Sequence, residues 1–322
     1  MESAMNREVM EFTRLWGGFR ASRVILTANN LRVFENIGKG RTADDLASVL
    51  KTDPRATEIL LDAVASLGLL RKSGRTYRLA PPARRFLLPD SPWYQGDMLR
   101  HADTLWKNWS GLEAVVRTGM PNRAGTRDHD VFIKAMHNNA MMRARDVIMA
   151  LDLRGVKKAL DLGGGPGTYG IELAKKGIII TLFDLPDTLE VAQDLIRRSG
   201  ATGIAFRGGD FHFDEIGSGY DLALLSQVLH SHSPIENLAL LNKVFNALSP
   251  GGQIAIHEFK LNENHASPVP GALFSVNMLV NTAEGRSYTP REMKGWLKKA
   301  GFRKIMFKDL GDTVVVTGRK GS

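Results

Sequence analysis

The chain has 322 residues, of which 43% are hydrophobic and 24% are charged, so it is long enough for two ordinary globular domains with buried cores. It contains no cysteine, which excludes disulfides, thiolate metal sites and cysteine nucleophiles. The formal net charge is +9, but the Lys and Arg residues are scattered, which favours a solvated basic surface over a nucleic-acid partner. The N-terminus has no signal-peptide pattern, and no apolar run reaches the ~18 residues that span a bilayer. We therefore expect a cytoplasmic protein with no nucleic-acid and no membrane partner.

Residues 1–92 predict a mainly helical domain that ends in a small hairpin. Thr42 with Asp45 is typical of a helix N-terminal capping pair, and Asp53-Pro54 opens a second short helix. Two short strands around Ser73-Gly74 follow, so the order of elements is a winged-helix outline. A helix that binds the DNA major groove would present Arg, Lys, Asn or Gln, whereas residues 55–67 are apolar and slightly acidic. The outline therefore indicates an interaction module, and the apolar helices before it suggest that the interaction is dimerisation.

Residues 93–152 predict a helical connector that is rich in Met and aromatic side chains. Such a stripe usually belongs to a core, but beside a cofactor domain it can also form the wall of a pocket for a flat apolar substrate. Asn277 and Met278 follow helical spacing further along the chain, so packing explains them equally well. The candidate substrate-contacting residues are His101, Trp106, Phe132, Met136, Asn277 and Met278.

From residue 153 to residue 322 the pattern alternates between strands and helices. We place seven strands at residues 158–162, 178–183, 204–207, 222–225, 253–257, 304–308 and 314–316. Helices fall between most of them, which predicts an α/β domain with an open, doubly wound, mostly parallel Rossmann-like sheet. The turn between the last two strands is short, so these two should form an antiparallel hairpin at one edge.

A glycine-rich loop, Leu162-Gly163-Gly164-Gly165-Pro166-Gly167, follows the first of these strands and opens a helix. Glycines let the backbone turn sharply and let a ligand lie against the main chain. Residues 165–170 also match the G-x-G-x-x-G pattern of nicotinamide cofactors, which is a weak signal on its own. Asp161, just before the glycines, would repel a pyrophosphate but can hold an ammonium group, which favours S-adenosylmethionine as the cofactor.

Two further carboxylates end the next two strands of the predicted sheet. Asp184 can accept hydrogen bonds from both ribose hydroxyls of either cofactor, and a helix N-cap is its alternative role. Asp210 and Phe211 together can bind the exocyclic amine of an adenine and stack on its face. The candidate cofactor-binding residues are Asp161, Gly163, Gly165, Gly167, Asp184, Leu185, Asp210, Phe211 and Ser226.

These motifs resemble the S-adenosylmethionine-dependent O-methyltransferases of the caffeate, flavonoid, hydroxyindole and anthracycline type, over nearly the whole chain. The matching segments are residues 160–167, Gly209-Asp210-Phe211 and Leu225-Ser226-Gln227-Val228-Leu229-His230. The resemblance implies a homodimer formed through the N-terminal domain, and methylation of a hydroxyl group on a small aromatic molecule. It also implies that His230 is the general base and that Glu258 orients its ring.

The sequence departs from this family at two places near the expected base. The family's His-Asp-Trp is His230-Ser231-His232 here, so His232 either covers the adenine or is an exposed loop residue. The second acidic position of the plant members is Ser287, which leaves Glu258 as the one expected carboxylate partner. The histidines show no metal-ligand spacing, so no metal site is predicted. Alternatives are a cofactor-retaining relative with other chemistry, such as hydroxylation or decarboxylation, a cofactor-sensing DNA-binding regulator, and a nicotinamide oxidoreductase.

Overall fold

The computed structural model describes residues 2–125 and 128–321 of the chain. These residues divide into one unit that runs up to Asp103 and a second that begins at Thr104. The division falls within the helix Gly96–Trp109, later than the predicted boundary at residue 92. The assignment of residues 93–152 as a separate connector stays a prediction.

The first unit is mainly helical and carries a small antiparallel sheet with the strand order β1-β3-β2. Its elements in chain order are α1 (Glu2–Gly17), α2 (Phe19–Asn30), α3 (Val33–Asn36), β1 (Arg41–Thr42), α4 (Ala43–Leu50), α5 (Pro54–Ser66), β2 (Leu70–Ser73), β3 (Thr76–Leu79), α6 (Pro81–Phe86) and the start of α7 (Gly96–Trp109). The predicted order of two helices and a hairpin is confirmed. Thr42 and Asp45 form a capping box at α4, and the Asp53 carboxylate accepts the Ala56 N–H at the start of α5.

Helix α1 carries large apolar side chains that are exposed within its unit. Phe12, Leu15 and Trp16 keep 67%, 82% and 52% of their surface exposed. Large apolar side chains that are exposed at helical spacing on one helix are typical of an interaction surface. Among the described residues, no helix combines the length and the apolar content that a bilayer crossing requires.

The second unit contains an α/β sheet with helices on both faces. Its helices are α8 (Leu112–Thr118), α9 (His129–Met141), α10 (Ala144–Met149), α11 (Thr168–Ala174), α12 (Pro186–Ser199), α13 (Pro234–Ala247), α14 (Val269–Asn281) and α15 (Pro290–Lys299). Its strands are β4 (Lys158–Leu162), β5 (Ile179–Asp184), β6 (Ile204–Gly208), β7 (Tyr220–Ser226), β8 (Leu248–Phe259), β9 (Arg303–Asp309) and β10 (Thr313–Arg319).

Seven strands of the described chain form one sheet in the order β6-β5-β4-β7-β8-β10-β9. Strands β4 to β8 pair in parallel, and β10 runs antiparallel to both β8 and β9. The predicted mostly parallel sheet with an antiparallel edge hairpin is therefore confirmed. Strand β8 begins earlier than the predicted residue 253, because Leu248 already pairs with Tyr220. A register shift follows this pair, and the Pro-Gly-Gly sequence in that segment is typical of a turn.

The sheet is buried on both faces because successive residues of its central strands point to opposite sides. On β7, Leu222 and Leu224 pack in the cluster that includes α10 and α11, whereas Ala223 and Leu225 pack with α13 and α15. The carboxyl ends of β4, β5, β7 and β8 lie at one edge of this sheet. In open α/β sheets, ligands bind at that edge.

Candidate active site

The glycine turn between β4 and α11 has left-handed backbone at Gly163, Gly165 and Gly167, with φ of 63°, 54° and 73°. A Cβ at Gly163 would lie 2.9 Å from Val228 Cγ2, and one at Gly167 would lie 2.7 Å from Ile196 Cδ1. The positive φ favours glycine at all three positions, and at Gly163 and Gly167 a side chain would also crowd Val228 and Ile196. A Cβ at Gly165 would meet no described atom within 4 Å, so this is where a ligand can approach the main chain.

Asp184, at the end of β5, connects the tips of two neighbouring strands. Its Oδ2 accepts the Gly165 N–H at 2.7 Å and its Oδ1 accepts the Leu185 N–H at 2.8 Å. Burial raises the pKa of Asp184, and these two hydrogen bonds oppose the rise. The N-cap residue of α12 is Leu185, so Asp184 is not the cap of that helix. Leu185 itself is 46% exposed. Asp184 therefore orders the glycine turn at its open side.

Asp161 lies beneath the turn and is wholly buried. Its Oδ2 accepts the Gly170 N–H at 3.0 Å, but its Oδ1 has no hydrogen-bond partner in the described chain. Burial raises the pKa of Asp161 to about 7, although the Gly170 hydrogen bond lowers it in part. An unpaired carboxylate oxygen is costly unless a ligand supplies a donor. With the open main chain at Gly165, it suits a cofactor that carries an ammonium group.

Asp210 and Phe211 follow β6 and border the same turn. The Phe211 ring lies 3.6 Å from the position that a Cβ at Gly163 would take, and Asp210 Oδ1 accepts the His212 N–H at 2.8 Å. The His232 ring is half-buried and packs edge-on to Phe211, with 5.5 Å between centroids. Of its two predicted environments, His232 therefore does not have that of an exposed loop residue. His212, which lies 3.3 Å from His232 between ring nitrogens, had no signal in the sequence.

His230 and Glu258, the predicted base and its orienting group, are in contact. His230 lies in a 3₁₀ turn (Leu229–Ser231) after β7, and Glu258 lies near the end of β8. His230 Nδ1 is 2.8 Å from Glu258 Oε2, and the His230 backbone N–H donates to Oε1 at 3.3 Å. Both residues are buried, at 8% and 2% exposure. Since an ionised carboxylate only accepts, Nδ1 carries the hydrogen and Nε2 keeps a free lone pair.

The 3₁₀ turn that carries His230 is held by two side chains from other elements. Asn237, wholly buried on α13, donates from Nδ2 to the carbonyls of Leu229 at 3.0 Å and His232 at 3.3 Å. The Tyr288 hydroxyl donates to the same His232 carbonyl at 2.5 Å. The position of the imidazole is thus fixed from outside its own loop.

The segment before α15 does not supply a second carboxylate to His230. The Ser287 hydroxyl is buried and donates to the Gly271 carbonyl at 2.9 Å, and Glu284 is exposed. Gly285 instead contributes by its lack of a side chain, because a Cβ there would lie 2.4 Å from the His230 carbonyl oxygen. Glu258 therefore remains the carboxylate that contacts the imidazole.

Aromatic rings lie on one side of the His230 imidazole. Phe274 on α14 meets the imidazole edge-on at 4.8 Å between centroids and packs on Phe259 at 3.9 Å. Both phenylalanines are half-buried. A flat apolar molecule can contact such rings while a polar group on it reaches the imidazole.

Ser226, a predicted cofactor-binding residue, has its side chain bonded inside the unit. Its hydroxyl lies 2.8 Å from His257 Nδ1, and only 8% of the residue is exposed. Burial lowers the pKa of His257 to about 4, and the His257 ring lies 5.7 Å from that of Tyr169. Neither His257 nor Tyr169 was identified as a site residue from the sequence, because His257 lies within an apolar strand and Tyr169 is a variable position of the glycine motif.

The predicted substrate residues lie on three helices. His101 belongs to the first unit and Trp106 to the second, both on α7, and neither lacks partners. Phe132 and Met136 are half-buried one turn apart on α9. On α14, Asn277 Oδ1 accepts the Trp109 Nε1–H at 3.0 Å and Met278 is 7% exposed in the core. A role for these six residues toward a substrate stays a prediction.

Comparison with known families agrees with the geometry. The O-methyltransferase domain family matches residues 98–303, and the O-methyltransferase dimerisation domain family matches residues 13–89. Two such matches account for both units.

Two relatives match along nearly their full length. The chain is 32% identical to 3-hydroxy-5-methyl-1-naphthoate 3-O-methyltransferase of Streptomyces sahachiroi, over 96% of this chain and 94% of the relative. It is 33% identical to acetylserotonin O-methyltransferase of Gallus gallus, over 94% and 95%. The crystal structure of human N-acetylserotonin methyltransferase in complex with S-adenosylmethionine superposes with a TM-score of 0.90 and 29% identity, and the match covers 98% of both chains. The chain therefore belongs to the O-methyltransferase family that uses S-adenosylmethionine as cofactor and methyl donor.

Proposed function

We propose that this protein methylates a hydroxyl group on a small aromatic molecule, with His230 as the general base and Glu258 as the residue that orients it. The observation that carries the proposal is the buried 2.8 Å contact between His230 Nδ1 and Glu258 Oε2. This contact fixes the tautomer in which Nε2 is the basic nitrogen. In the described chain, no hydrogen bond to Nε2 competes with a substrate hydroxyl.

The residues of this chain accept one proton and align the acceptor hydroxyl with the methyl group. When bound, S-adenosylmethionine supplies a methyl group on a positively charged sulfur, activated for in-line displacement. As the oxygen–carbon bond forms and the carbon–sulfur bond breaks, His230 Nε2 takes the hydroxyl proton, and the Glu258 carboxylate stabilises the resulting imidazolium. A phenol with a pKa near 10 is a poor nucleophile while protonated, so a base of this kind contributes about 10²–10⁴-fold.

The aromatic class of the acceptor is supported by the rings beside the base. Phe274 meets His230 edge-on and packs on Phe259, which suits a flat acceptor whose hydroxyl points toward Nε2. The relatives from Streptomyces sahachiroi and Gallus gallus are named for a hydroxynaphthoate and for acetylserotonin, both of them aromatic. Phe132 and Met136 on α9 are the proposed further walls of this pocket.

The cofactor residues are proposed on the same basis. Asp161 Oδ1 would accept from the ammonium group, Asp184 from the ribose hydroxyls, and Asp210 from the adenine amine beside the Phe211 ring. Their support is the unpaired oxygen of Asp161, the open main chain at Gly165 and the contact of Phe211 with the turn.

We further propose that two copies of the chain pair through their N-terminal units. The dimerisation family match and the exposed apolar side chains of α1, such as Leu15 and Trp16, support a homodimer. Light scattering after gel filtration should show twice the chain mass. A monomer mass would contradict this part of the proposal.

The test of the base is a comparison of two histidine variants. In transfer of labelled methyl from S-adenosylmethionine to a panel of hydroxyarenes, His230→Ala should lower kcat by about 10²–10⁴-fold. The dissociation constant for S-adenosylhomocysteine should not change, because the imidazole contacts the acceptor and not the cofactor. The matched control is His265→Asn, at an exposed histidine, which should keep full activity. Equal kcat for His230→Ala and the parent would remove His230 from the mechanism.

A panel in which no hydroxyarene accepts labelled methyl, with the cofactor bound, would favour the alternative of a cofactor-retaining relative with other chemistry. Tight, salt-sensitive binding of duplex DNA would instead favour the regulator.

A further inference from the structure

Arg143, which precedes α10, is a half-buried arginine whose charge is not paired. In the part of the chain that the structure describes, its guanidinium makes no hydrogen bond and no ion pair. Three further half-buried arginines, Arg100, Arg286 and Arg319, are paired with Asp97, Glu292 and Asp152 respectively. A guanidinium has five N–H donors, and their partial desolvation costs free energy unless a ligand compensates for it.

Arg143 borders the aromatic side of the active site. Its Cζ lies 5.7 Å from the centroid of the Phe259 ring, and the His230 imidazole lies 6.4 Å from the same centroid. The guanidinium and the base are thus neighbours of one ring, and Phe274 packs against that ring as well.

The charge of Arg143 also reaches the layer next to the glycine turn. Burial raises the pKa of Tyr169, on the first turn of α11, and the positive charge of Arg143 opposes that rise. Burial lowers the pKa of His257 to about 4, Glu258 opposes that change, and Arg143 adds to it. The positive charge of Arg143 therefore acts on groups next to the glycine turn, and its guanidinium borders a ring beside the base.

No carboxylate in the described part of the chain pairs with Arg143. The Glu258 carboxylate, which lies beside the base, already accepts from the imidazole and the backbone N–H of His230. A planar guanidinium binds a carboxylate through two parallel N–H···O bonds, a geometry that no other side chain provides. We propose that Arg143 binds a carboxylate group of a ligand in the active site, and this inference rests on the proposed methyl transfer at His230.

Two ligands can bring a carboxylate to Arg143. One is an aromatic acceptor that carries a carboxylate as well as a hydroxyl group, and the other is the cofactor, through its amino-acid end. Both sources have the same chemistry at the guanidinium, so two pairs of probes distinguish them. Within each pair the compounds differ in whether the carboxylate-bearing part is present.

The experiment measures dissociation constants of the full-length chain by calorimetry, without turnover. The acceptor pair is 3-hydroxy-1-naphthoate and 2-naphthol, each added with S-adenosylhomocysteine present. The cofactor pair is S-adenosylhomocysteine and methylthioadenosine, which lacks the amino-acid end. The variant is Arg143→Gln, and the matched control is Arg145→Gln, at an exposed arginine two residues along the chain.

Arg143→Gln should weaken the binding of the carboxylate member of one pair by about 10- to 100-fold and leave its partner compound unchanged. Loss in the naphthoate pair assigns the acceptor as the source, and loss in the adenosyl pair assigns the cofactor. Arg143→Lys, which keeps the charge without the planar fork, should lose less in the same pair and serves if the Gln variant does not fold. Unchanged constants in both pairs would overturn the proposal. Methyl transfer to the same compounds is measured separately with labelled S-adenosylmethionine, and a compound that binds but is not methylated there counts against the proposed function and not against Arg143.

Discussion

The buried carboxyl of Asp161 should make the stability of the cofactor-free protein fall as the pH rises. Its pKa of about 7 lies above the value near 3.9 of an unfolded Asp. The folded state therefore favours the protonated form, and its stabilising contribution is complete below about pH 4 and lost as the pH rises through about 7. At 1.36 kcal/mol per pKa unit, the ionised carboxylate destabilises the fold by about 4 kcal/mol above pH 7.

Asp161→Asn removes this titration while its amide oxygen can still accept the Gly170 N–H. Between pH 5 and pH 8, the free energy of unfolding of the parent should fall by about 2–3 kcal/mol relative to that of the variant. The unpaired amide of the variant adds a cost that does not depend on pH, so the slope of the difference carries the test. Urea unfolding of both cofactor-free proteins, at intervals between pH 5 and pH 8, measures it.

Asp152→Asn is the matched control for this experiment. Hydrogen bonds from Arg154 hold the pKa of Asp152 well below its usual range, so this carboxylate stays ionised from pH 5 to pH 8. The control should therefore shift the free energy of unfolding by the same amount at every pH. Parallel pH curves for Asp161→Asn and the parent would refute the argument that burial of Asp161 disfavours its charge.

Three further variants test other parts of the site. Glu258→Gln should lower kcat by up to about 10⁴-fold and change its pH profile, because a neutral amide neither fixes the tautomer of His230 nor stabilises the imidazolium; an unchanged pH profile would argue against an orienting role. Gly285→Ala should lower kcat without changing cofactor affinity, because its Cβ would lie 2.4 Å from the His230 carbonyl oxygen and would displace it. The control is Gly295→Ala on α15, where a Cβ would meet no described atom within 4 Å. This control should stabilise the protein by about 0.5–1 kcal/mol in urea unfolding. Asp184→Asn should weaken S-adenosylhomocysteine binding about tenfold in calorimetry, since a charged acceptor is lost at the open side of the turn; parent-like affinity would remove Asp184 from the cofactor site.

Much of the α/β fold was predictable because buried parallel strands are short apolar runs bounded by glycine. Strand β4 occupies the predicted residues 158–162, and the glycine turn follows it as expected. The start of β8 was missed, since Ser249-Pro250-Gly251-Gly252 has the composition of a turn although Leu248 pairs with β7. Local composition cannot report a pairing partner that lies 28 residues away.

The same limit separates the predictable from the unpredictable parts of the site. His230 and Glu258 lie at the ends of neighbouring parallel strands, so the order of strands brings them together, and the resemblance to the family was sufficient to pair them. Arg143 belongs to no sequence motif that would mark it as a site residue. Its proximity to Phe259 depends on how α10 packs on the sheet. The burial of Asp161 was not predicted either, because a position at the end of a strand does not say whether the side chain lies beneath the turn or on it.

The anchoring of the 3₁₀ turn by Asn237 and Tyr288 has a consequence for how such an enzyme changes its acceptor. The turn that carries His230 is held by side chains from outside it, while the rings and thioethers proposed to touch the acceptor lie on α9 and α14. Substitutions on those two helices can reshape the cavity without moving the imidazole. New acceptor preferences can therefore arise one side chain at a time while the reaction itself is preserved.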